Sequence, residues 1–284
     1  MQANKLHINM GKCCYIHFSP ENTQNTEDEQ PHHESPTLII NNIPIKQVTQ
    51  TKFLGIIIDH KLSWTPHIKQ LGKLLAYCTG SLNRIRSNIK PELYKNLYHT
   101  LYESYLSYGI TLWGDAPESH LTPILTSQKN CCRILLGDRD AYNDKFKTCA
   151  RTRPKEEQIL GEEFFRREHT KPLMNNNSIL ILHNLYQYHC SLLCLKVLKF
   201  RTPISIYTKF DLSDRKATLI KIPREHNSLA FKLGQIWNTI RIRFQVVDFG
   251  VKIGPLKERI KKFLLLRQCK NDPLEWDETN FGKM

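Results

Sequence analysis

Val48-Thr49-Gln50-Thr51-Lys52-Phe53-Leu54-Gly55-Ile56-Ile57-Ile58-Asp59-His60-Lys61-Leu62-Ser63-Trp64-Thr65 is the stretch that decides how the chain is read. Phe53-Leu54-Gly55-Ile56-Ile57-Ile58 is a short apolar, β-branched run with a glycine near its start. A glycine there marks a bulge or a close approach of another backbone, because it has no side chain to pack. Asp59-His60-Lys61 ends the run, and Leu62-Ser63-Trp64 opens a helical pattern. From Thr65 onward the apolar period changes from two to about 3.6. The chain should therefore be β on the N-terminal side of this stretch and helical beyond it.

Toward the N-terminus, Leu38-Ile39-Ile40 to Ile45 reads as a β-hairpin turning at Asn41-Asn42, and 52–59 as the next strand. Residues 3–18 read as a short helix end or strand, a turn at Gly11-Lys12 and a strand. Residues 19–36, rich in Pro, Glu, Asn and His, read as an exposed loop. Toward the C-terminus, Thr65-Pro66 is a helix start, with Thr as the cap and Pro at the first position. Ile68, Leu71, Leu74, Leu75, Cys78 and Leu82 make one apolar face, and Lys69, Lys73 and Arg84 lie off it. A second helix begins at Pro91 with two stripes: Leu93, Leu97, Leu101 and Tyr105 beside Tyr94, Tyr98, Tyr102 and Leu106. Both stripes are expected in the core. A third helix spans 121–136 and ends at Gly137. Residues 138–172 are highly charged and read as a boundary, a linker or an inserted helix. Three more helices are expected over 179–200, 229–244 and 256–266. The fold class is mainly α with a small antiparallel β element at the N-terminus.

The 284 residues carry a net charge of +14 and a pI near 9.3, which favours a polyanionic partner, either nucleic acid or an anionic membrane surface. No apolar run approaches the ~18 residues of a membrane span. The first residues have no basic-then-apolar leader and read as the middle of a domain. Nine cysteines without a leader point to a reduced, intracellular protein, in nucleus or cytoplasm. Cys190 and Cys194, with His183 and His189 nearby, and the pair Cys131-Cys132 lack the ligand spacing of a structural zinc site. They read as small buried hydrophobes.

Five stretches resemble, in order, the C-terminal part of jockey-like non-LTR (LINE-type) retrotransposon reverse transcriptases. Ala3-Asn4-Lys5-Leu6-His7-Ile8-Asn9-Met10-Gly11-Lys12-Cys13-Cys14-Tyr15-Ile16-His17-Phe18 is similar to the motif NKLxLNxxKTxYxxF that follows the catalytic aspartates. Phe53-Leu54-Gly55 with Leu62-Ser63-Trp64 and His67-Ile68 resembles the primer-grip hairpin and the start of the thumb. Leu106-Ser107-Tyr108-Gly109-Ile110-Thr111-Leu112-Trp113-Gly114 with Gln128-Lys129, then His169-Thr170-Lys171-Pro172-Leu173, then Leu229-Ala230-Phe231 with Trp237-Asn238 complete the series.

The resemblance implies a partial polymerase palm over 1–64, a helical thumb over 65–137, a charged linker or insertion over 138–172 and a helical tail over 173–284. It implies that Lys12 donates a proton to leaving pyrophosphate. It further implies that Phe53, Leu54 and Gly55 grip the primer, and that Lys69, Lys73, Arg84, Arg86, Lys90 and Lys95 contact the primer–template backbone without sequence preference. Trp113 and Trp237 are expected to be core anchors. The chain departs from the family in one decisive way: it contains no Asp-Asp pair. Polymerase chemistry needs such carboxylates to hold two metals. The complete family uses Mg²⁺; this chain is expected to bind no cofactor and to be inactive alone. Two other readings fit the composition: a non-enzymatic basic nucleic-acid-binding helical protein, and a helical protein–protein interaction module.

Overall fold

Where the sequence puts a glycine inside a strand, the chain reverses. In the computed structural model, which describes residues 9–18, 37–40, 42–137, 170–213, 216–221, 229–244 and 253–270, strands β5 (Gln50–Phe53) and β6 (Ile56–Asp59) pair antiparallel. Phe53 stands opposite Ile56, so Leu54-Gly55 form a two-residue turn with φ of 46° and 86°. Two successive positive φ values make the turn whose twist matches that of the flanking strands. The bulge expected at Gly55 is thus a hairpin tip. The remaining N-terminal strands are two residues each. β1 (Cys14–Tyr15) pairs parallel with β4 (Lys46–Gln47), and β2 (Ile39–Ile40) pairs antiparallel with β3 (Ile43–Pro44). The expectations for 1–8, 19–36, Asn41 and 138–169 lie outside the described residues.

The passage from sheet to helix is organised by Asp59. One carboxylate oxygen accepts the Ser63 N–H and the other the Trp64 N–H, both at 3.0 Å. These bonds hold Leu62 and Trp64 in the left-handed region, at φ of 52° and 61°. Helix α1 (Thr65–Ile85) then begins one residue earlier than expected. Trp64 occupies the cap position and Thr65 the first turn, where its N–H is accepted by Ser63 Oγ at 3.3 Å.

α1 buries Ile68, Leu71, Leu75 and Leu82 and packs on α5 (Glu118–Leu136). Between them runs a helical rod: a turn at Pro91–Leu93, α2 (Tyr94–Leu97), a π-helical segment (Tyr98–Glu103) and α3 (Ser104–Ser107). Tyr98, Tyr102 and Leu106 are fully buried. The neighbouring stripe is not: Leu93 is 48% exposed, Leu101 42% and Tyr105 43%. The expectation that both stripes are core is corrected. A helix packed from one side buries one face, so Leu93, Leu101 and Tyr105 face outward while Leu97 of the same stripe still packs on the core. Gly109, at φ 62°, turns the chain into α4 (Ile110–Trp113). An added Cβ there would meet Ile56 Cδ1 at 2.6 Å, so the hairpin and this turn require glycine where they touch.

The second half comprises α6 (Thr170–Asn176), α7 (Leu182–Phe200), α8 (Ile204–Tyr207), the hairpin β7 (Asp211–Ser213) and β8 (Lys216–Lys221), α9 (Leu229–Phe244) and α10 (Ile253–Lys270). Two features differ from the sequence expectation. A hairpin, Asp211–Ser213 with Lys216–Lys221, lies between the helices expected over 179–200 and 229–244. And the helix expected from 179 begins at Leu182, because Ile179, Leu180 and Ile181 are non-helical.

Two buried glutamines fix that segment. Gln128 of α5 donates to Leu180 O at 2.9 Å and accepts the Leu182 N–H at 2.9 Å. Gln268 of α10 donates to Ile179 O at 3.1 Å and accepts the Ile181 N–H at 3.0 Å. The two amides thus take alternate residues of the segment, as neighbouring strands would. Gln128 also donates to Tyr98 Oη at 2.9 Å. Asn238 of α9 plays the same part on β8, accepting the Ile220 N–H and donating to its C=O. One apolar core runs through Ile68, Trp113, Leu135, Leu185, Trp237 and Leu264. Trp113 and Trp237 are wholly buried, as are Cys131, Cys132, Cys190 and Cys194. Burial pushes the Cys131 and Cys190 thiols up to about 12, so they behave as neutral apolar groups. No helix among the described residues is long and apolar enough to cross a membrane.

Candidate nucleic-acid interface

The hairpin tip is open to solvent. Phe53 and Leu54 are strongly exposed, while Ile56 behind them is buried. The tip is tied down by Tyr108, whose hydroxyl donates to Leu54 O at 2.5 Å. Its ring lies where a Cβ on Gly55 would come, 3.3 Å from Cε1. One residue into β6 from the tip, His67 of α1 accepts the Ile57 N–H at 3.5 Å and meets Trp113 edge-on at 6.0 Å. Its Nε2 is buried without a partner, and burial holds its pKa below the usual histidine value. Burial alone would raise the Asp59 carboxyl. The hydrogen bonds from Ser63 and Trp64 outweigh it and hold the carboxyl below its ordinary value. Asp59 is thereby committed to backbone amides, as the position of a turn-forming carboxylate requires.

At roughly 100° per residue, Lys69, Lys73, Tyr77 and Arg84 fall within an arc of about 80° on α1, opposite its apolar face. All four are exposed. Gly80 shares the arc, and a Cβ there would meet nothing within 4 Å, so the face is open. The structure separates the other sequence candidates from this arc. Arg86 donates to Gly137 O at 2.6 Å and lies over the Tyr94 ring at 5.4 Å. It joins the end of α1 to the end of α5 and is half-buried. Lys90 is exposed just before the Pro91 turn, and Lys95 is half-buried on α2. Lys12 ends an exposed 3₁₀ turn that Asn9 caps by accepting the Gly11 N–H. Tyr77 was missed by reasoning on charge alone. Its signal is the i+4 step from Lys73 on the polar arc.

A cleft of about 680 Å³ opens among α4, α5, α6, α7, α9 and α10, lined in part by Asp115, Glu118, Lys171, His183, Lys232 and Arg267. Asp115 pairs with Lys232, and Glu118 lies 3.8 Å from the His183 ring nitrogen. Among the described residues no group of three or more His, Cys, Asp or Glu could hold a metal ion. Neither the hairpin nor the α1 arc brings together a nucleophile, a base and an oxyanion donor. What they offer is an open apolar tip and an open cationic face, features suited to binding.

The chain is similar to a probable RNA-directed DNA polymerase from transposon X-element of Drosophila melanogaster, with 28% identity over 107 residues. The match covers 36% of this chain and 12% of that protein. No family model matches the chain, and no solved structure matches it significantly. The similarity supports a region related to a retrotransposon reverse transcriptase.

Proposed function

We propose that this chain corresponds to the part of a jockey-like reverse transcriptase that follows the catalytic aspartates. Residues 1–64 are its palm edge, 65–137 its thumb, 138–172 a charged linker or insertion and 173–284 its tail. In this reading the chain binds a primer–template and does not polymerise. The single observation that carries it is the cationic arc of Lys69, Lys73 and Arg84, which follows directly on an open hairpin tip in a chain similar to a transposon polymerase. Lysines and arginines on one exposed face meet phosphates at many positions along a duplex, whatever the base sequence. Phe53, Leu54 and Gly55 stand at the tip, where the glycine keeps the backbone accessible. Arg86, held by Gly137 and Tyr94, supports the arc's geometry and does not add a free cation to it.

The test is a salt titration of binding to a labelled RNA–DNA duplex. The log–log slope should be about −0.9 per phosphate neutralised, and K69Q/K73Q/R84Q should flatten it with the fold intact. Absence of binding at low salt would defeat the reading. Primer extension by pure protein with Mg²⁺ should give no product, since the paired aspartates are missing. A second reading, a protein-docking module, is favoured by one feature. Phe53, Leu54, Leu101, Tyr105, Tyr108 and Leu112 are exposed apolar residues spanning the hairpin tip, α3 and α4.

A further inference from the structure

The C-terminal helices carry a second set of cations, held in a different way from those of α1. Phe244 ends α9 and Phe263 lies on α10. Their rings meet edge to face, with centroids 5.6 Å apart and planes at 85°. Three guanidinium groups cover them. Arg243 lies 5.4 Å and Arg267 5.7 Å from the centre of the Phe263 ring, and Arg259 lies 5.2 Å from the centre of Phe244. The arrangement is reciprocal: Arg243 reaches from α9 to a ring of α10, and Arg259 reaches from α10 to a ring of α9. Arg259, Phe263 and Arg267 stand at i, i+4 and i+8 and so share one side of α10.

A guanidinium held over a ring by cation–π attraction does not spend its N–H donors on that contact, so the fork that matches a phosphate remains available. The rings also restrict the arginine rotamers before any ligand arrives, so less ordering entropy is lost on binding. Arg243 and Arg259 are exposed, and Arg267 is half-buried at the rim of the cleft that Lys171 and Lys232 also line. The sequence of α10, IGPLKERIKKFLLLRQCK, carries a single acid, Glu258, among Lys257, Arg259, Lys261, Lys262, Arg267 and Lys270.

We infer that Arg243, Arg259 and Arg267, set on Phe244 and Phe263, form a second nucleic-acid surface that grips backbone phosphates independently of the α1 arc. Nucleic acid is the occupant the charge favours, because α10 sets six cations against one acid; Ile242 and Leu266, exposed beside the arginines, make a lipid surface the alternative that the vesicle measurement tests.

The experiment uses the full chain and a short labelled RNA–DNA duplex across a salt series. R243Q/R259Q/R267Q should weaken binding by about tenfold or more at about 0.1 M salt and reduce the slope by about 0.9 for each phosphate no longer neutralised. R243K/R259K/R267K keeps the charge but loses the fork and much of the stacking, and should still weaken binding several-fold. The control K46Q/K196Q/K209Q removes equal charge from exposed lysines elsewhere. If the Gln variant unfolds by circular dichroism, the Lys variant carries the test. Wild-type affinity in the Lys variant, with a Gln variant no worse than the control, would overturn the inference. So would loss of binding to phosphatidylserine vesicles with duplex binding unchanged. Loss in the tail variants with none in K69Q/K73Q/R84Q upholds this surface and removes the α1 reading. The reverse pattern removes this surface and leaves α1.

Discussion

The N-terminal strands and the helical body are stabilised by different means. The body, from α1 to α10, closes around one continuous core and pairs buried backbone groups with side-chain amides at Gln128, Asn184, Asn238 and Gln268. Among the described residues of 9–64, only Ile56 and Asp59 are buried. Four of the six strands described there have two residues, and the region is anchored at few points: Asp59, the His67–Ile57 bond and the Tyr108–Leu54 bond. The body carries the means of its own stability, while the strands derive theirs from being pinned to it. A change in the body should therefore act globally, and a change at a pin should act locally.

The largest effect should come from Gln128→Leu. It keeps the side-chain size but strands Leu180 O and the Leu182 N–H, at about 1–3 kcal/mol each, and removes one of the Tyr98 hydroxyl's partners. We expect a loss of about 3 kcal/mol or more, seen as a lower denaturation midpoint for every probe of the body. A shift confined to the strands would break the comparison. Next is Asp59→Ala, which releases two backbone amides and the left-handed turn they hold. It should cost about 1–2 kcal/mol, a value typical of a lost helix cap. Hydrogen exchange should rise in 50–64 and stay unchanged in α5 and α7.

Acid should act on the same joint. Burial lowers the pKa of His67, and of His189 on α7, where Glu103 opposes the shift while Lys257 and Lys196 add to it. The unfolded chain then binds more protons than the folded one below the unfolded histidine value of about 6.5. Stability is intact above that pH and declines as pH falls through it toward the folded values. A melting temperature that is constant or rises from pH 7 to pH 5 would contradict this. The smallest effect is expected from Tyr108→Phe, which removes one hydrogen bond at the exposed tip and should cost about 1 kcal/mol or less. It should accelerate exchange at the hairpin tip alone.

The sequence showed the fold class because the change of period at Thr65 reflects a physical change from one-faced strands to one-faced helices. It also marked the arc, since Lys69, Lys73 and Arg84 are spaced off an apolar stripe. It could not show Ile179-Leu180-Ile181 as non-helical. An apolar run leading into a helix reads as helix, and what holds it otherwise are amides 52 to 89 positions away. Gln128 beside Lys129 looks like an ordinary polar pair until α7 closes over it. Arg86 looks like a further cation of the arc because its partners, Gly137 and Tyr94, meet it only in three dimensions. The pairing of Arg243, Arg259 and Arg267 with rings across two helices was not legible, because those partners meet only in three dimensions.

The glutamine clamp also sets an order in time. Gln268 completes the pairing of Ile179 and Ile181 from 89 and 87 positions downstream. During synthesis, at about 5–20 residues per second, the start of α7 waits on the order of ten seconds for its second amide. Until then Gln128 holds one side alone and the other side stays hydrated. Pairings of such sequence separation slow folding. Helix α10 thus acts as a closing step for this segment, and a nascent chain stalled before it would present an unfinished middle to chaperones and proteases.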